Sequence, residues 1–168
     1  MTLTFLLSIC TASALSITPA DVTFIQGMII HHQQAIDMSE LVGTRTTSPD
    51  IRLIAERIVV SQNDETKSMR RWLTAHHQPT MDMPMMMPGM LTPEQMKTLA
   101  SAKGETFDRL YLEGMIQHHE GALKMVADLF ATKGAAQETA MFTFATDVDS
   151  DQRDEIARMR SILASHRL

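Results

Sequence analysis

Two histidines stand side by side in two matching stretches of this sequence, as His31–His32 and as His118–His119. Met28 and Met115 lie just before the two pairs, and Met38 and Met125 lie just after them. Neutral imidazole is a common metal ligand. The thioether is a soft, uncharged donor that suits Cu(I) or Ag(I) and holds Zn(II), Mg(II) or Ca(II) poorly. The chemistry on offer is soft-metal binding, with Cu(II) also within reach of the imidazoles. The competing reading is a packed core. A histidine on an apolar face is usually hydrogen-bonded there, and methionine at helical spacing is usually filler. Duplication shifts the weight towards metal. Each buried imidazole needs a partner for both nitrogens, and repeating an adjacent pair doubles that demand without improving packing.

A second concentration of the same donors follows. Residues 76–90 read HHQPTMDMPMMMPGM, which places His76 and His77 ahead of Met81, Met83, Met85, Met86, Met87 and Met90. Pro79, Pro84 and Pro88 exclude a regular helix there. Thioethers do not titrate, so such a segment would bind a soft metal in acid and without thiols. The alternative is a loop that uses methionine as adaptable packing.

The elements that carry these residues form a repeat. Residues 24–38, FIQGMIIHHQQAIDM, return at 111–125 as YLEGMIQHHEGALKM. Further on, Gln62, Asp64, Glu65, Met69 and Arg70 return as Gln152, Asp154, Glu155, Met159 and Arg160. Each unit reads as two helices. Thr18-Pro19-Ala20-Asp21, Ser48-Pro49-Asp50 and Thr92-Pro93-Glu94-Gln95 are helix starts, and Gly43 and Gln78-Pro79 are expected stops. The second histidine helix should end near Gly134 and the last begin near Ala135. No segment alternates with a period of two, so no strand is expected. The fold class is all-α: a ferritin-like four-helix bundle of two duplicated helical hairpins. Repeat 1 spans about 19–77, the methionine-rich crossover 78–92 and repeat 2 about 105–166, in one domain over 15–168.

At 100° per residue, Met28, His31, His32 and Met38 share an inward arc of about 120°, as do Met115, His118, His119 and Met125. On the partner helices Gln62, Glu65 and Met69 share a face, as do Gln152, Glu155 and Met159. Gln62, Glu65, Gln152 and Glu155 are therefore candidates to orient the histidines, with the two glutamates also able to act as ligands. Imidazole binds metal only when neutral, so such a site should weaken as pH falls through roughly 6.

The 20 acidic and 15 basic residues, without a basic run, argue against nucleic acid as a partner. Leu3 to Cys10 is apolar, and Ala12-Ser13-Ala14 suits cleavage after Ala14, although no basic residue precedes the run. We expect residues 1–14 to be a signal peptide and the chain to be periplasmic or secreted, with no membrane span after cleavage. Cys10 is the one cysteine, so the cleaved chain would have neither disulfide nor thiolate site.

The Gly-Met-Ile-x-His-His-x-x-Ala-[Ile/Leu]-x-Met block resembles the DUF305 family. So do the Gln-x-Asp-Glu-x-x-x-Met-Arg block and the Met-Leu-Thr-Pro-Glu stretch at 90–94. The resemblance covers roughly residues 20–165. It implies a ferritin-like four-helix bundle, export and, for some members, periplasmic copper binding and resistance. Its motif falls on Met28, His31, His32 and Met38, and on Met115, His118, His119 and Met125. The favoured function is a non-catalytic protein that sequesters Cu(I) or passes it to another copper-handling protein. One alternative is a ferritin-like di-metal oxidase, although that chemistry uses Glu-x-x-His pairs and this sequence has none. Another is a structural or sensing module whose histidines only hold the core.

Overall fold

The computed structural model describes residues 17–81 and 85–166. The expected signal peptide and the expected ligand Met83 lie outside them. Among the described residues six helices follow in order: α1 (Pro19–Glu40), α2 (Val42–Arg45), α3 (Pro49–Ala75), α4 (Pro93–Ser101), α5 (Gly104–Ala131) and α6 (Thr139–His166). The fold is all-helical, with no strand among the described residues. No helix among the described residues is long and apolar enough to cross a membrane.

The helix starts are where the local chemistry puts them. Thr18 and Asp21 form a reciprocal capping box on α1, and Thr92 and Gln95 form another on α4. Each satisfies two of the amide donors that a helix start leaves free. Ser48 caps α3. The stop expected at Gly43 does not occur there. Gly43 lies inside α2, and the turn comes at Thr46, whose backbone is extended. Pro49 holds Ser48, two residues on, outside the helical region, where it caps the next helix. The Arg52 guanidinium then donates to the Thr46 carbonyl from Nε and Nη2, at 3.1 and 2.9 Å, and secures the corner. At the far end of α3, His77 takes the left-handed conformation (φ 55°). The Gln78 amide bonds the Leu73 carbonyl at 2.8 Å and the His77 amide bonds that of Thr74 at 3.1 Å. This is a Schellman stop with histidine in glycine's usual place. The last helix begins at Thr139 rather than near Ala135, because residues 132–138 turn through Gly134 and Ala136, both at positive φ.

The long helices α1 and α3 pack as one hairpin, α5 and α6 as the other, and α1 lies along α5. Two apolar clusters fill the bundle. One holds Phe24, Met28, Met69, Leu73, Met125 and Met141. The other holds Met38, Ile51, Ile54, Tyr111, Met115 and Met159. Each cluster thus takes the start of one helix and the end of its neighbour, which makes the neighbours antiparallel. Between the clusters every long helix contributes buried polar residues. His31 and His32 come from α1, Gln62 from α3, His118 and His119 from α5, and Gln152 from α6. The bundle is an apolar–polar–apolar sandwich with the four imidazoles at its waist.

Candidate metal centre

All four histidines are fully buried, and the two repeats hold them in matched ways. His32 donates from Nε2 to Glu65 Oε2 at 2.6 Å, and His119 donates from Nε2 to Glu155 Oε2 at 2.6 Å. A glutamate on each partner helix therefore fixes one ring. The other two rings meet across the bundle. His31 and His118 lie 3.7 Å apart, centroid to centroid, tilted by 35°. His118 Nε2 donates to the main-chain carbonyl of His31 at 3.0 Å, and His31 Nε2 donates to that of Pro88 at 3.0 Å.

These bonds set the tautomers. A carbonyl or carboxylate only accepts, so Nε2 carries the proton in each ring, and in the neutral ring Nδ1 is a lone pair. The Nδ1 atoms of His31, His32, His118 and His119 are all buried without a hydrogen-bond partner. A buried unsatisfied polar atom costs about 1–3 kcal/mol. Four of them approach the whole stability of a domain, about 5–15 kcal/mol. A metal ion is one partner that relieves this cost, since it takes a lone pair directly.

Burial and mutual repulsion keep the stacked rings uncharged. Desolvation first, then the neighbouring His32, lowers the pKa of His31 to about 3. Desolvation, then the charge of His31, drives that of His118 well below its ordinary value. The weakening expected near pH 6 therefore does not apply to these two rings, which stay neutral well into acid.

The thioethers of the motif flank this layer. Met28 and Met125 lie in one apolar cluster, and Met38 and Met115 in the other, with Met28, Met38 and Met115 fully buried. Met69 and Met159 on the partner helices join them, one in each cluster. Their spacing from Gln62 and Gln152 was visible in the sequence, yet they were not singled out as ligands. Gln62 has both amide atoms buried without partners, and Gln152 has its Oε1 so. Among the described residues, no three or more His, Cys, Asp or Glu side chains are grouped to hold a metal ion. Imidazole and thioether are the donors this layer offers.

The crossover divides. Met87-Pro88-Gly89-Met90 forms a turn closed by the Met90 amide on the Met87 carbonyl at 3.2 Å, with Gly89 at φ 79°. Proline second and left-handed glycine third are the signature of a type II turn. This turn is strapped across the histidine layer. Gln34 holds Leu91 at both amide and carbonyl (2.7 and 3.0 Å), and Gln117 donates to the Gly89 carbonyl at 3.1 Å. Met81, Met86 and Met90 line a separate surface groove of about 490 Å³ with Met96, which sequence reasoning missed. Met85 and Met86 are exposed. The paired histidines of the crossover go elsewhere. His76 lies against Trp72, 4.4 Å between ring centroids and tilted by 48°, and faces Glu138 at 3.5 Å, while His77 is the exposed helix stop described above. The Pro88 carbonyl that holds His31 carries no side-chain signal, and only the fold reveals it.

Residues 21–163 match the family described as a domain of unknown function, DUF305. The chain belongs to this family. It is similar to the crystal structure of a DUF305 fragment from Deinococcus radiodurans, with TM-score 0.80 and 29% identity, covering 89% of this chain and 98% of that one. A DUF305 protein from Streptomyces coelicolor, named as a candidate secreted protein, gives TM-score 0.79 and 31% identity over 91% of this chain and 95% of that one. CopM in its Cu(I)-bound form gives 0.71 and 28%, over 86% and 96%. CopM structures also match in Cu(II)-bound and silver-bound forms. A shorter match, 41% identical over 49 residues, is to a protein of Acanthamoeba polyphaga mimivirus; it takes in 29% of this DUF305 chain and 32% of the viral protein.

Proposed function

We propose that this protein holds copper, chiefly as Cu(I), outside the cytoplasm, and that it sequesters the ion or hands it to another copper-handling protein without catalysing a reaction. The observation that carries the reading is the waist of the bundle, where four buried imidazole Nδ1 atoms face no protein partner. The residues fit the ion. Nitrogen would come from Nδ1 of one or two of His31, His32, His118 and His119, and sulfur from Met28, Met38, Met115 or Met125. Bound there, copper would satisfy the lone pairs and keep a low-charge, water-poor coordination that favours the monovalent state. Glu65 and Glu155 keep Nε2 of their histidines occupied, which leaves Nδ1 as the lone pair that would bind an ion and raises its basicity. Export is supported by the apolar N-terminal stretch and by the naming of the Streptomyces coelicolor relative. The copper- and silver-bound forms of CopM support the choice of metal.

The test is a Cu(I) titration against a chromogenic chelator on untagged protein. Wild type is compared with a His31/His32/His118/His119→Ala variant whose helicity is checked by circular dichroism. Loss of the tightest copper in the variant supports the reading. Equal binding by a folded variant shows that the histidines only pack the core.

A further inference from the structure

Gly27 on α1 and Gly114 on α5 hold equivalent places in the two repeats, one residue before Met28 and Met115. The side chains leaning over them differ. A Cβ at Gly27 would collide with the Met87 methyl, and it would sit 3.4 Å from the Met125 methyl and 3.6 Å from the Met87 sulfur. A Cβ at Gly114 would sit 3.3 Å from the Met38 methyl and 3.1 Å from a Leu91 methyl. Met125 and Met38 are themselves equivalent in the repeat. The two places therefore match except that one pairs a thioether with a thioether and the other pairs a thioether with leucine.

Their access differs in the same sense. Met87 and Met125 line an open cleft of about 400 Å³ with Phe24, Pro88 and Leu129. The cleft beside Gly114, about 310 Å³, is lined by Leu91, Leu99, Leu110 and Gln117, with no methionine in its wall. The first cleft also adjoins residues that touch the histidine layer. Met87 is bonded to Pro88, whose carbonyl holds the His31 ring. Met125 packs in the same cluster as Met28. Two thioethers thus line a cleft whose walls also serve the imidazole layer, the strap through the Pro88 carbonyl and α5 by carrying His118 and His119.

We propose that Met87 and Met125, brought together over Gly27, form a two-thioether capture site through which a soft monovalent cation enters the histidine layer, and that the equivalent place at Gly114 is closed to this use by Leu91. The inference rests on the soft-metal reading of the waist and adds the route into it. Two uncharged sulfurs bind Cu(I) or Ag(I) weakly enough to release the ion inward, where nitrogen donors complete its shell. Gly27 has a specific part, since only a residue without a side chain lets the Met87 methyl sit against α1.

The test uses full-length protein labelled with ¹³C at the methionine methyls, titrated with Ag(I) and followed by NMR. Met87→Leu and Met125→Leu assign the signals and keep nearly the same volume. The Met87 and Met125 methyls are expected to move together at the lowest Ag(I), before those of Met28, Met38 and Met115. Each leucine variant should abolish the partner's shift and remove one equivalent of Ag(I), and in Met87→Leu, which leaves every donor of the waist in place, the histidine ring signals should still respond at saturation. Gly27→Ala should produce the same loss by displacing Met87. If the histidine rings respond while the Met87 and Met125 methyls stay still, the waist binds metal but the capture site is refuted. If neither class responds, the capture site falls together with the soft-metal reading.

Discussion

His118 lies stacked on His31, 3.7 Å between ring centroids, and gives its Nε2 proton to the main-chain carbonyl of that same residue. One repeat thus reads the backbone of the other at its own equivalent position. Two imidazolium rings at this distance would repel each other in a site without water. The contact therefore disfavours charge on both rings, and neutral rings are what a metal requires.

The first prediction is acid lability of the metal-free protein. An unfolded imidazole takes its proton near pH 6.5. Folded His31 takes one only near pH 3, because burial disfavours the charge. Between those values the unfolded chain binds more protons, so lowering the pH favours unfolding. Stability is fully present above about pH 6.5 and is lost as pH falls towards the folded value. From pH 7 to pH 5 the loss for His31 should be roughly 2 kcal/mol. Urea unfolding at the two pH values measures it. A His31→Leu/His118→Leu variant should lose most of the pH dependence, and a wild-type midpoint that stays flat to pH 5 would count against neutral burial.

The second prediction concerns Glu65 and Glu155. Each accepts a 2.6 Å bond from a histidine Nε2 while remaining partly open to solvent. Removing such an orienting carboxylate lowers metal affinity roughly 10–100-fold in known sites. Glu65→Ala and Glu155→Ala should each weaken Cu(I) binding in that range, measured by chelator competition, and Gln at either position should recover part of it as an uncharged acceptor. If alanine leaves the affinity unchanged, the carboxylates merely satisfy the rings.

Much of this was legible in the sequence. The 3.6-residue period put His31, His32, His118 and His119 on inward arcs, and the capping residues Thr18, Ser48 and Thr92 placed three helix starts. The repeat implied two matched hairpins, and the buried glutamine faces pointed to Gln62 and Gln152. The rest depended on contacts that sequence does not carry. The partner of His31 is a carbonyl, which is the same at every residue. His77 ends a helix although glycine is the usual stop there, and Gly43 continues one although glycine usually ends it. His76 looked like a crossover ligand because it stands beside the methionines in the chain, yet the helix end turns it towards Trp72 and Glu138.

The third prediction tests the strap. A Cβ at Gly121 would collide with the Pro88 carbonyl, and one at Gly89 would come within 2.7 Å of the Gly121 Cα. Neither contact can be relieved by rotating a side chain, so Gly121→Ala must lift the strap or shift α5, at a cost of about 1–3 kcal/mol. Gln34→Ala should loosen the strap more gently by releasing both bonds to Leu91. Limited proteolysis should cut both variants faster than wild type between residues 78 and 92. Unchanged cleavage would mean that the strap is held by something other than these contacts.

The fourth prediction separates the crossover from the waist. pH alone does not distinguish them as cleanly as unburied imidazoles would, because His31 and His118 stay neutral in mild acid. Substitution does. Met81, Met85, Met86 and Met90 are at least partly accessible, and none belongs to the two apolar clusters. Leucine nearly conserves the volume of methionine, so changing all four should leave the fold and thermal midpoint close to wild type. The Cu(I) stoichiometry should fall because the groove sites lose their sulfur, while the tightest copper at the waist is retained with wild-type affinity. Chelator competition on the variant gives both numbers. If stoichiometry is unchanged, the groove methionines are packing; if the tightest copper is lost instead, the primary site lies in the crossover and the waist histidines do not hold it.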